Sequence, residues 1–271
     1  GVFTPCTLTI LGVIMFLRLG QVVGEAGIFH AILIILYANV ITGLTAFSLS
    51  AIATNTRVKG GGAYYLISRS LGVEFGGAIG VFFFLAQAIS VSLYVIGFTE
   101  AFLMAFPDTG YAFRTVATAV NLVVFVCVYI GAGWTIRVQY GILAILVFAI
   151  GSFFAGAATD ASWGTLANSM RPAYLQGDSF FTMFALFFPA ATGIMAGANM
   201  SGDLRDPGRS IPAGTLSAIA VTCVIYVAMA LFLAASRTQH VLITDTFVVK
   251  AIAWSPVLIN AGVFAATLSS A

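Results

Sequence analysis

Charge is what this sequence lacks most. Only 7% of its 271 residues are Asp, Glu, Lys or Arg, where a soluble domain carries about 25%. A water-soluble globule is excluded. The net charge of +2, from 11 basic and 9 acidic residues, is too small for a nucleic-acid surface. Cysteine is scarce as well. Cys6, Cys127 and Cys223 lie in apolar stretches without metal-ligand spacing, which excludes a disulfide framework and a redox motif and leaves small buried hydrophobes. His30 and His240 stand near the ends of apolar segments and are expected in outer loops; two histidines so far apart do not make a metal site. No nucleophile stands in pattern with a base. The chain is therefore not read as an enzyme, and nothing in it asks for a cofactor.

What is present is apolar: 61% of the residues are hydrophobic. A membrane-spanning helix needs about 20 such residues. Eight stretches qualify, at about 2–23, 27–54, 75–104, 114–131, 138–158, 179–199, 211–235 and from about 251 to the end. The chain is thus expected to be an integral, multi-pass, all-α membrane protein with the lipid bilayer as its solvent. It starts at Gly1 and stops at Ala271 inside an apolar run, so it is read as a fragment. Basic residues in short loops set orientation. With the amino terminus in the cytoplasm, Arg57, Lys59, Arg69, Arg137, Arg205 and Arg209 fall inside, against Arg114, Arg171, Arg237 and Lys250 outside.

The sixth stretch carries a helix breaker at Pro189, and Gly193 loosens the chain again four residues later. In lipid, freed backbone groups must be covered by protein or must face a cavity or ligand. Such a break is either an ordinary proline kink or a binding site whose open carbonyls hold cations and whose half-helix amino terminus holds anions. The first stretch echoes it. Gly12-Val13-Ile14-Met15 after Thr9 matches Gly193-Ile194-Met195 after Thr192. Paired interruptions in matching positions point to an inverted-repeat transporter. The spacing fits a five-helix repeat, with a first copy over about 1–160 and a partial second copy over about 178–271 of one transmembrane domain, 1–271.

Other features have two readings each. Arg18 and Glu100 either pair as an outer gate or extend separately to the headgroups. Ser269 and Ser270 suit a small hard cation or bond a neighbouring helix. Tyr94 lies mid-segment, and its hydroxyl needs an interior partner, a side chain or a ligand. Gly72-x-x-x-Gly76, Gly76-x-x-x-Gly80 and Gly193-x-x-x-Gly197 allow close helix packing. Lys59-Gly60-Gly61-Gly62 lacks the ending and the preceding strand of a phosphate loop; its glycines let residues 63–71 turn as a short cytoplasmic helix. Asn199-Met200-Ser201 matches a glycosylation acceptor but falls on the inner side.

Arg57-Val58-Lys59-Gly60-Gly61-Gly62-Ala63-Tyr64-Tyr65, continuing to Gly80, resembles the loop after the second helix of cation-chloride cotransporters. Residues 187–204 resemble that family's sixth helix, and 266–271 its eighth. The likeness is closest to the sodium–potassium–chloride branch. It implies a LeuT-like inverted-repeat bundle of twelve helices with discontinuous helices one and six, here truncated after helix eight. It also implies a homodimer in the full-length protein, a plasma-membrane location, and small inorganic ions as substrates. Potassium would meet Thr9, Ile10, Tyr94, Pro189 and Thr192. Sodium would meet Leu8, Leu11, Ala266, Ser269 and Ser270. One chloride would meet the amides of Gly12, Val13 and Ile14, the other those of Gly193, Ile194 and Met195. Arg18 and Glu100 match outer-gate positions. Thr9 and Leu11 depart from that branch's usual asparagine and tryptophan, and 236–250 is shorter than the outer loop of animal members. Tyr94 is similar to potassium-using members and the serine pair to sodium-using ones. An electroneutral sodium–potassium–chloride symporter working by alternating access is the function implied. An amino-acid or polyamine permease on the same scaffold, or a non-transporting accessory subunit, are the alternatives.

Overall fold

The computed structural model describes residues 1–55, 60–130, 132–199 and 201–270, without the side chains of 130, 132–137, 203 and 269. Arg57, Lys59, Met200 and the side chains of Arg137 and Ser269 thus lie outside the described residues. Every described element is helical. In chain order they are α1 (Phe3–Ile10), α2 (Val13–Leu17), α3 (Leu19–Asn55), α4 (Gly62–Leu71), α5 (Val73–Ala105), α6 (Phe113–Ile130) and α7 (Ala132–Asp160). There follow α8 (Trp163–Asn168), α9 (Phe180–Phe187), α10 (Met195–Asn199), α11 (Pro207–Ser236), α12 (Gln239–Thr244), α13 (Val248–Ile252) and α14 (Pro256–Ser270). Among the described residues five helical segments, the interrupted Phe180–Asn199 included, are long and apolar enough to cross a membrane, and the other three expected spans form shorter apolar helices. This is an integral, multi-pass membrane protein.

The first span is more broken than its sequence suggests. It stops at Ile10, restarts at Val13, and breaks again at Arg18, which leaves the helix region at φ −122°. Residues 19–26 belong to α3, whose continuous helix hides a corner at Gly27 (φ 67°, ψ 163°). Only glycine takes that backbone readily. A Cβ there would also stand 2.6 Å from the Arg171 carbonyl oxygen. The loop after α8 laces this corner: the Ile28 amide donates to Ser169 O at 2.8 Å, and the Ala173 amide to Glu25 O at 2.7 Å. Glu25 is fully buried, and its carboxylate accepts from Gln21 Nε2 at 2.9 Å and the Leu175 amide at 3.4 Å. Burial, and then the Glu25 charge, push the Tyr174 hydroxyl above its ordinary pKa. His30, expected in a loop, sits inside α3 with Nδ1 3.0 Å from the Tyr174 hydroxyl. His240 is likewise helical, in α12.

Local chemistry explains the other starts and stops. Ser179 caps α9 by accepting from the Thr182 amide at 3.3 Å, and Asp206 caps α11 ahead of Pro207. The last span starts at Pro256 rather than near 251, because Ser152 on α7 takes the amides that would continue a helix. Ser255 N donates to Ser152 Oγ and Trp254 N to Ser152 O, both at 2.9 Å. The segment 236–250 is not a bare loop; it holds α12 and the start of α13. The short helix α4 forms as expected, and the glycine pattern packs it: a Cβ at Gly76 would collide with Ser68. A Cβ at Gly197 would collide with Val2, so the sixth span lies close on the first.

The core gathers around the broken spans. Leu8, Met15, Phe16, Phe153, Phe187 and Tyr226 are all but inaccessible. In contrast α5 turns Phe75, Phe82 and Phe84 outward. Apolar exposure of that extent suits a lipid-facing surface.

Candidate functional site

The two breaks meet. A Cβ on Gly193 would stand 2.8 Å from Thr9 Cβ and 2.9 Å from the Ile10 amide nitrogen. The sixth span can therefore reach the open end of α1 only with glycine at this point. Cys6 Sγ adds a bridge to the Ile194 carbonyl at 3.5 Å. On the other side, Gly12 faces the end of α14: a Cβ there would be 3.8 Å from Ser270 Oγ. Val13 presses on α5, where a Cβ at Gly97 would be 2.7 Å from Val13 Cγ2. Residues from three other spans thus converge on the first-span break.

The sixth-span break satisfies much of its own backbone. A 3-10 turn, Phe188–Ala191, follows α9. The Pro189 carbonyl accepts from Thr192 Oγ1 at 2.8 Å and from the Thr192 amide at 3.3 Å. The Ile194 amide donates to the Thr192 carbonyl at 2.8 Å. The first-span break is different. Leu11 still donates to Thr7 O at 2.9 Å, and Thr9 Oγ1 bonds back to Pro5 O at 2.8 Å. The Ile10 carbonyl takes its donor from far away: the Tyr226 hydroxyl on α11, at 2.7 Å. Tyr226 is 1% exposed, and its ring meets Phe187 edge-on at 5.1 Å. Sequence reading missed Tyr226. The signal was the one that singled out Tyr94, a tyrosine far from either helix end.

Beside this junction lies a cleft of about 210 Å³, lined by Val13, Ile14, Leu17, Arg18, Leu93, Ile96, Gly97, Glu100, Ala185, Leu186 and Pro189. Arg18 Nη2 stands 3.5 Å from Glu100 Oε2 across it, with the two side chains 37% and 35% exposed. An ion pair so exposed and so long is weak, worth about 0–1 kcal/mol. Tyr94 is half-buried against the core. Among the described residues its hydroxyl has no hydrogen-bond partner.

The other expected site residues are less assembled. Leu8 and Leu11 are buried, but Ser270 Oγ bonds back within its own helix to Ala266 O at 2.9 Å. Ser269 is outside the described side chains. The Gly12, Val13 and Ile14 amides open α2, and Met195 opens α10, where first-turn amides have no intrahelical acceptor. Among the described residues no group of three His, Cys, Asp or Glu is gathered as a metal site. Chemically, the junction offers carbonyls, hydroxyls and amides, with formal charge only at the cleft's Arg18–Glu100 pair.

Comparison with known proteins agrees with this architecture. The family model for amino acid permease matches residues 1–271. The chain is 38% identical over 327 aligned positions to solute carrier family 12 member 1 of Mus musculus, covering 100% of this chain and 30% of that protein. It is 43% identical to solute carrier family 12 member 2 of Danio rerio, covering 85% of this chain and 22% of the relative. Against member 2 of Homo sapiens identity is again 43%, with 85% and 20% covered. The chain therefore spans less than a third of the length of these curated relatives.

Proposed function

Because the chain belongs to the amino acid permease family, we propose that it forms the transport core of a secondary symporter that moves chloride together with sodium and potassium. The observation that carries this reading is the contact of the two helix breaks at Gly193, Thr9 and Ile10. Broken helices at membrane depth bind ions through backbone dipoles, and a site without formal charge of its own takes balanced cations and anions. Such loading is electroneutral. An uncompensated charge would instead couple transport to voltage at about 2.3 kcal/mol per 100 mV. The likeness to solute carrier family 12 members supports the ion assignment.

In this reading potassium binds between the Thr9, Ile10 and Pro189 carbonyls and the Tyr94 and Thr192 hydroxyls. Its weak hydration lets such a cage replace its water shell. Sodium binds among Leu8, Leu11, Ala266, Ser269 and Ser270. Chloride binds at the amides of Gly12, Val13 and Ile14, and of Gly193, Ile194 and Met195, with the Ile194 amide leaving the Thr192 carbonyl to do so. The Arg18–Glu100 pair opens and closes the outer path, while the first and sixth spans rock against the others. The chain is read as one transmembrane domain with repeats over about 1–160 and 178–271, its amino terminus in the cytoplasm, working as a homodimer at the plasma membrane.

The test is uptake by the full-length protein in liposomes, with sodium, potassium and chloride replaced one at a time. Loss of flux with each replacement supports the three-ion symporter; flux that ignores potassium reduces it to sodium–chloride symport. The family model's own description favours a second reading, an amino-acid permease. Uptake of a labelled amino acid without chloride dependence would establish that instead. An intact, inserted protein that moves neither would be an accessory subunit.

A further inference from the structure

A helix interrupted in the membrane leaves carbonyls without their usual amide partners. Ile10 ends α1, and Leu11 (φ −81°, ψ 50°) and Gly12 (φ −87°, ψ −159°) carry the chain out of helical geometry. The Ile10 carbonyl is nevertheless bonded, by a hydroxyl 216 residues further along the chain. Tyr226 is an unusual way to satisfy it. The ring is fully buried, held edge-on by Phe187 at 5.1 Å and 84°, and its hydroxyl reaches the Ile10 oxygen at 2.7 Å. Phe187 is the last residue of α9, so one ring links the rims of both breaks.

We infer that Tyr226 is the positioning residue of the cation site, fixing the Ile10 carbonyl and setting which cation that carbonyl accepts. The inference rests on the proposed role of Ile10 as a cation ligand. A carbonyl oxygen has two acceptor directions. The Tyr226 hydroxyl occupies one and holds the carbonyl plane, which leaves the other free for an ion. The same hydrogen bond draws electron density from the oxygen and lowers the field it presents. Carbonyl number and field strength govern selectivity among alkali cations. A weakened carbonyl favours a large, weakly hydrated ion over a small one. Tyr94, packed against the same core as Tyr226 but without a hydrogen bond among the described residues, is the hydroxyl left to face the ion. The two tyrosines thereby divide the work, one on the ligand and one on the cation.

The experiment uses the full-length protein with Tyr226→Phe, which keeps the ring and removes one oxygen, in rubidium uptake with each ion varied in turn. Half-saturation for rubidium should rise about fivefold or more, and sodium should become a stronger competitor against rubidium. Half-saturation for chloride should stay within about twofold, as should that for sodium as co-substrate. Equal shifts for all three ions, or lower thermal stability with unchanged ion preference, would make Tyr226 a purely structural hydrogen bond and overturn the inference. If the variant fails to reach the membrane, Phe187→Leu removes the bracing ring and keeps the hydroxyl. It should move rubidium preference in the same direction by a smaller factor, and unchanged preference would count against the inference. Wild-type flux that needs no potassium or rubidium would defeat the parent reading, and this one with it. Wild-type dependence with an unaltered Tyr226→Phe preference defeats only this one.

Discussion

The two helix breaks solve the same problem in different ways. The sixth-span break closes most of its own backbone within six residues: Thr192 bonds Pro189 twice, and Ile194 bonds Thr192. The first-span break keeps the Leu11 amide on the Thr7 carbonyl but takes the donor for its Ile10 carbonyl from another helix, Tyr226 of α11. A self-contained break can move as a unit. A break held by other helices changes whenever those helices shift. In the proposed symporter the first span would therefore be where ion occupancy and helix movement couple most directly, with the sixth span as a preformed wall.

That contrast can be broken most severely at the point of contact. Gly193→Val would drive side-chain atoms into Thr9 and the Ile10 backbone. Overpacking of this kind costs about 1–3 kcal/mol or more, and here it would separate the breaks. Uptake should be abolished while surface expression persists; normal uptake would mean that the two breaks need not touch. Tyr94→Phe comes next. Losing one cation ligand should cost on the order of 1–3 kcal/mol, roughly a five- to 150-fold rise in half-saturation for rubidium. An unchanged value would return Tyr94 to a packing role.

Sodium sharpens the comparison from the α14 side. Ser269 and Ser270 replaced together by alanine should raise the sodium concentration for half-maximal uptake about tenfold, with folding intact. Because Ser270 bonds Ala266 in its own helix, an unaltered sodium dependence would mean that the hydroxyl serves only that bond. The smallest effect is expected at the ion pair. A double-mutant cycle of Arg18→Gln and Glu100→Gln should give a coupling of about 0–1 kcal/mol in transport free energy. A coupling several times larger would show the pair to be desolvated during the cycle.

The sixth-span break was legible in the sequence because its causes are local: proline, threonine and glycine stand within five residues. Gly12 was legible by its echo of Gly193. The Arg18–Glu100 proximity was one of two readings the sequence left open, since charged residues near one membrane face either pair or extend separately to the headgroups. Tyr226 shares the mid-helix position that singled out Tyr94, but its bond to Ile10 was not legible, because that partner lies on another helix and no periodicity relates them. The corner at Gly27 and the small helices α8, α12 and α13 were also hidden. Each is fixed by tertiary hydrogen bonds, such as Ile28 to Ser169 and Gln239 Nε2 to the Gly24 carbonyl at 3.1 Å, and each is too short to carry an apolar pattern.

In the proposed site a potassium-sized cation sits where the first-span break meets the sixth. Rubidium has an anomalous X-ray signal and can replace potassium. Diffraction from transport-competent full-length protein grown in rubidium chloride should show one anomalous peak within coordination distance of the Ile10 and Pro189 carbonyls and the Tyr94 hydroxyl. No peak there, in protein whose uptake responds to rubidium, would contradict the account.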